Sequence, residues 1–135
     1  MFKSLLLLLL VVAVVSFVGC MEKNTEDPIR TYTYWAGQSP TKDVQPIHGK
    51  YWESAHWSKE YIMYMEVKAS PLWMSEFIKQ NNLIKPKTPE DIPSDAPSWF
   101  KPDKNSVIYT RRYGEGSLYY VNTKTQKVFI YEIQL

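Results

Sequence analysis

The stretch WESAHWSKEY (52–61) gathers the residue types that move protons or hold metals: Glu53, His56 and Glu60 among Trp52, Trp57 and Tyr61. On a helix, Glu53 and His56 at i, i+3 would share a face, as in the Glu-x-x-His sites of helix bundles, with Glu60 one further turn along. Such a site needs ligands from elsewhere, and the only other histidine is His48. Residues from Glu60 onward favour a strand, which would separate these side chains. The plainer reading is a surface histidine and two acids flanked by core tryptophans, and no metal is assigned. No G-x-S-x-G elbow offers a serine nucleophile. Glu53, Glu60, Glu66 and Glu132 could be paired in many ways for acid–base work on a glycoside, and their spacing selects none of them. YGEGS (113–117) joins two apolar runs and lacks the lysine and following helix of a phosphate loop, so it reads as a hairpin turn. The expectation is a protein that is not an enzyme and takes no cofactor.

A second cluster suits recognition. Arg111, Arg112 and Tyr113 stand at the end of an expected strand, near Tyr109 and Glu115. Arginine and tyrosine are enriched among residues that dominate binding energies, which makes these three a candidate protein-binding edge; a solvated hairpin end is the bland alternative. Among the tryptophans, Trp73 reads as core. Trp35, Trp52 and Trp57 fall in ambiguous segments, where one or two could stack on sugar rings or a protein partner.

These side chains must be positioned by a small set of elements. In EYIMYMEVK (60–68), Tyr61, Met63, Met65 and Val67 alternate with Ile62, Tyr64, Glu66 and Lys68, the pattern of a half-buried strand. SPLWMSEFIKQNNL (70–83) predicts a helix over 71–82. Ser70 is its N-cap, Pro71 opens it, and Trp73, Met74, Phe77 and Ile78 make one apolar stripe. TYTYW (31–35) suggests a short strand, whereas Pro46 and Gly49 leave 41–58 unassigned. Residues 85–105 hold five prolines, Pro86, Pro89, Pro93, Pro97 and Pro102. That stretch reads as a long loop, pinned to the core by Trp99 and Phe100. Strands near 106–112, 117–123 and 127–134 complete a meander. In the last of these, Phe129, Tyr131 and Ile133 oppose Val128, Ile130 and Glu132. The fold class expected is α+β, an antiparallel sheet with one main helix packed on one face.

The N-terminus carries the expectation of where such a domain belongs. One cation, Lys3, precedes an apolar run from Leu5 to Val18 that only Ser16 interrupts. Its 14 positions make about 21 Å of helix, short of a bilayer core of roughly 30 Å, so the run suits an export signal. It closes in SFVGC (16–20), which carries the one cysteine of the chain. This segment resembles the lipobox of bacterial lipoproteins: Val18 and Gly19 match the two positions before the cysteine, and Phe17 stands where leucine is usual. The resemblance implies cleavage after residue 19, a diacylated thiol on Cys20 and an acylated new N-terminus. Met21 in place of aspartate then favours the outer membrane in a Gram-negative source. The expected organisation is a signal peptide (1–19), a lipidated cysteine with a flexible tether (20–30) and one small domain (31–135). Beyond the lipobox the chain resembles small bacterial envelope proteins, a likeness that implies no activity.

Composition bounds the rest. Loss of Lys3 leaves 15 cations against 14 acids, a near-neutral domain that gives no reason to expect nucleic acid as a partner. With Cys20 acylated no disulfide is available, so an aromatic core must hold the fold; 15% of residues are Phe, Trp or Tyr. The expected role is a lipid-anchored binding module for another envelope protein, of an accessory, immunity-like or inhibitory kind. Glycan or peptidoglycan binding is the alternative, and a small hydrolase the least favoured.

Overall fold

The computed structural model describes residues 21–88, 90–113 and 116–135. Cys20 and the signal segment, Pro89, and Gly114 and Glu115 of the turn lie outside these residues. The class is α+β: one antiparallel sheet and two helices, where one main helix was expected. In chain order the elements are β1 (Lys23–Thr25), α1 (Pro28–Ala36), β2 (Val44–Glu53), β3 (Tyr61–Ala69), α2 (Pro71–Gln80), β4 (Leu83–Ile84), β5 (Val107–Arg111), β6 (Leu118–Asn122) and β7 (Lys127–Gln134). Across the sheet the strands run β1-β2-β3-β7-β6-β5-β4. The C-terminal strand thus lies in the middle, paired with β3 from Tyr61↔Gln134 to Lys68↔Lys127. No helix among the described residues is long and apolar enough to cross a membrane.

Two expectations at the N-terminal end are corrected. Residues 23–25 pair with β2, Lys23 opposite Glu53, where a flexible tether was expected. TYTYW belongs to α1 rather than to a strand. Its alternating Thr and Tyr fit a strand locally, but the helix signals outweigh them. Asp27 accepts the Arg30 amide at 2.7 Å as N-cap, Pro28 fills the first turn, and Gly37 closes the helix at φ 71°. Read at helical spacing, Tyr32, Trp35 and Ala36 form a stripe that packs into the core.

The unassigned segment 41–58 contains β2, a strand interrupted by a bulge between Pro46 and His48, where a proline can be accommodated. Gly49 is explained by contact. A Cβ there would lie 2.5 Å from Thr31 Oγ1 and 3.0 Å from Pro28 Cα, so the glycine lets α1 lie directly on β2.

The sheet is covered on both faces. Met63, Met65, Val67, Tyr119, Val121, Val128 and Ile130 face α1 and α2, meeting Tyr32, Met74 and Phe77. Tyr64, Leu118, Tyr120, Phe129 and Tyr131 face the proline-rich segment, which delivers Phe100 into their midst. The expected half-buried β3 is therefore buried on both sides at Tyr64 and Glu66. Trp99 and Phe100 do pin the segment: Phe100 meets Tyr64, Tyr120 and Phe129 edge-on. Trp99 stacks on His48 at 5.0 Å.

Candidate functional site

On the helix side, one end of the sheet carries a row of polar groups contributed by successive strands. Lys23 of β1 meets Glu53 of β2 at 3.3 Å, and Glu53 accepts the Tyr51 hydroxyl at 2.6 Å. Tyr51 stacks on Tyr61 of β3. Tyr61 in turn donates to Glu132 Oε2 of β7 at 2.6 Å. The other carboxylate oxygen, Oε1, accepts from Tyr119 of β6 and from Arg111 of β5, each at 2.7 Å. Strand alternation explains the alignment: all these residues occupy inward positions of neighbouring strands near the same end.

Glu132 is the hub. It is 1% exposed, and an isolated carboxylate so placed would cost several kcal/mol. Three donors engage its two oxygens and fix the side chain in place. The partners respond accordingly. Tyr61 and Tyr119 are pushed well above the ordinary phenol range, by burial first and by the adjacent Glu132 charge second. Burial is the largest single influence and works against the Arg111 charge, but Glu132, Tyr119 and Tyr61 together outweigh it and raise the guanidinium further.

Over this row the helices leave a cavity of about 350 Å³, with Tyr32 and Trp35 from α1, Trp73 and Phe77 from α2, and Arg111 and Glu132 from the sheet. The walls brace one another: Trp73 stacks on Phe77 at 5.0 Å, and Trp35 meets Phe77 edge-on at 5.8 Å. A second cavity of about 490 Å³, lined by Asn81, Asn82, Arg111, Arg112 and Tyr113, shares Asn81 and Arg111 with the first. Together they make one groove from the helices to the β5–β6 turn.

The three residues of the expected recognition edge line the second cavity together but differ in contact. Arg111 reaches Glu132 while its side chain stays 42% exposed, and Arg112 and Tyr113 face solvent, Tyr113 at 92% exposure. Glu53, His56 and Glu60 are not brought together. Glu53 is buried in the row just described, whereas His56 lies exposed in the β2–β3 turn beside Trp57. Among the described residues no group of three His, Cys, Asp or Glu side chains is placed to hold a metal.

Sequence reasoning passed over Tyr32, and named Trp35 and Glu132 without selecting either. The first two were hidden by assigning their segment to a strand, although Asp27-Pro28 and Gly37 marked a helix. Glu132 was visible as an acid on the face of β7 otherwise made of Val128 and Ile130. Comparison of the chain with family models, curated proteins and solved structures gives no match.

Proposed function

We propose that this protein is a lipid-anchored envelope protein that binds another envelope protein through the groove between α1 and α2. The observation that carries the proposal is the pairing of braced aromatic walls with a rigid floor of Arg111 and Glu132. A space of about 350 Å³ admits one or two anchoring side chains rather than a folded partner, as binding hot spots do. Holding is favoured over catalysis because both Glu132 oxygens already accept protein donors. The anchor rests on SFVGC: acyl chains on Cys20 hold the domain at the membrane, with the periplasmic face of the outer membrane favoured by Met21. Two chains meet the requirement for stable attachment.

Photo-cross-linking in living cells tests this. A photoreactive residue at Gln38 or Gln80, both on the groove lining, is expected to capture one protein. Capture is lost on Trp35→Ala and is not seen from position 104. The half-buried Trp35 and Trp73 also suit stacking on sugar rings. If no protein is captured and muropeptides shift the indole resonances of those two residues, the ligand is peptidoglycan. If neither occurs, the groove is not a recognition site.

A further inference from the structure

Among the described residues, the four most exposed large apolar side chains are Trp57 (99%), Tyr113 (92%), Leu135 (72%) and Met21 (71%). All four lie at one end of the sheet. Strand pairing fixes this: Lys23 is opposite Glu53, Glu53 opposite Tyr61, and Tyr61 opposite Gln134. Leu118 is opposite Tyr131, and Arg111 is opposite Leu83. The β2–β3 turn with Trp57, the β5–β6 turn with Tyr113 and the entry of the chain at Met21 therefore share one rim. The two turns are three strand spacings apart, about 14 Å at 4.8 Å each.

The same rim receives the chain from Cys20. Only Met21 and Glu22 separate that cysteine from β1, and Glu22 is itself tied to the sheet by the Trp52 indole at 2.8 Å. Three residue steps reach at most about 10 Å, little more than the headgroup layer of roughly 5–8 Å on each side of a bilayer core. With acyl chains on Cys20, the domain has no room to stand clear of the membrane. Trp and Tyr favour this interfacial layer, and long cationic side chains can snorkel there. Lys59 and Arg112 are exposed in the two turns, and the acids Glu22 and Glu60 balance much of their charge. Contact of this kind does not depend on anionic lipid.

We infer that this rim is a membrane-contact surface: Trp57 is the principal interfacial anchor and Tyr113 the second, and together they hold the sheet end-on against the bilayer that carries the lipid of Cys20. The inference rests on the lipidation proposed above. It places the Arg112–Tyr113 mouth of the groove at headgroup level, so that a partner is met at the membrane surface.

The test uses the mature lipidated chain reconstituted in phosphatidylcholine vesicles. Acylation of Cys20 leaves a cysteine introduced by Trp57→Cys, Tyr113→Cys or Leu72→Cys as the one reactive thiol, available for a nitroxide label. Leu72 is exposed at the opposite end of the sheet, two residues after the Ser70 cap. A water-soluble nickel chelate is expected to collide several-fold less often with the label at 57 than at 72, with 113 between them, and oxygen is expected to show the reverse order. Equal chelate access at 57 and 72 in vesicles that carry the protein overturns the orientation while leaving lipidation intact. Failure to float with the vesicles, or labelling of Cys20 itself, overturns both. Protection of 57 in native membranes but not in pure lipid means that the rim meets a protein, which also overturns the inference.

Discussion

Two buried glutamates on adjacent central strands face opposite sides of the sheet and show how differently its two faces are built. Glu132 points to the helices and is held by two phenols and a guanidinium. Glu66 points to the proline-rich segment and is held by His48 at 2.7 Å and Lys127 at 3.5 Å, both half exposed. The covers differ as well. Each helix satisfies its own backbone and presents a stripe of side chains. Among the described residues, the backbone bonds of the proline-rich segment close local turns, such as Phe100 to Pro97 and Ser106 to Asp103. Side chains fasten it instead: Tyr64 to Asp95, and Asn122 and Thr125 to Asp103. One face is thus a preorganised floor under a groove, and the other is a sheet surface closed by a strap.

The hub offers the hardest test of this contrast. Glu132→Ala leaves the Tyr119 and Tyr61 phenols without their acceptor, at about 1–3 kcal/mol for each buried group left unsatisfied, while Arg111, 42% exposed, can turn to water; the loss is read by urea denaturation. Glu66→Ala should cost clearly less, because both its partners can turn to water; equal losses would erase the distinction between the faces.

Phe77 and Phe100 are buried alike, at 6% and 3% exposure, yet stand under different covers. Truncation of either to alanine removes about 3 kcal/mol or more of packing. Phe77→Ala should lower global stability by that amount. Phe100→Ala should instead open the strap, with fast amide exchange over residues 93–106 and a smaller shift of the global midpoint.

The docking of α1 gives a smaller effect. Gly49→Ala forces a methyl against Thr31 and the Pro28 backbone, an overpacking expected to cost about 2 kcal/mol. It should also move Trp35 fluorescence as α1 is displaced from the groove.

Alkaline titration of phenolate absorbance reads both faces at once. Burial raises Tyr119 and Tyr64 above the ordinary value of 10.0, reinforced by Glu132 for the first and Asp95 for the second. A raised folded-state pKa contributes stability that is complete below pH 10 and is lost as pH climbs through the folded value. Both phenols should ionise only as the protein unfolds, and in Phe100→Ala Tyr64 should ionise ahead of Tyr119.

The smallest effect lies at the edge of the row. Burial pushes the Glu53 carboxyl up, but the Tyr51 hydroxyl and Lys23 outweigh it and hold it below its ordinary 4.5. Its contribution is therefore present above pH 4.5 and lost as pH falls through the lower folded value. Lys23→Ala should cost no more than about 1 kcal/mol, and acid unfolding should begin at a slightly higher pH.

Where local signals agreed, the sequence was sufficient to read the structure. The strands at 60–68, 106–112, 117–123 and 127–134 and the helix from Pro71 are found within one or two residues of their expected ends. Alternation set Met63, Met65 and Val67 apart from Tyr64 within one strand, and Phe129 and Tyr131 apart from Val128 and Ile130 within another, as observed. Where signals competed, tertiary contact decided. TYTYW alternates like a strand but folds as a helix on the surface that Gly49 leaves open. VQPIHG reads as broken, yet long pairing with β3 carries it through a bulge.

Type, period and capping are properties of a few neighbouring residues, so the sequence alone determines the α+β class, the meander, the capped α2 and the pinning role of Trp99 and Phe100. Strand order, the second helix, the three donors on Glu132 and the gathering of Trp57, Tyr113 and Met21 on one rim depend on registers between residues as far apart as Tyr61 and Gln134. Pairing of that kind is settled by the packing of both sheet faces at once, which no local stretch of chain encodes.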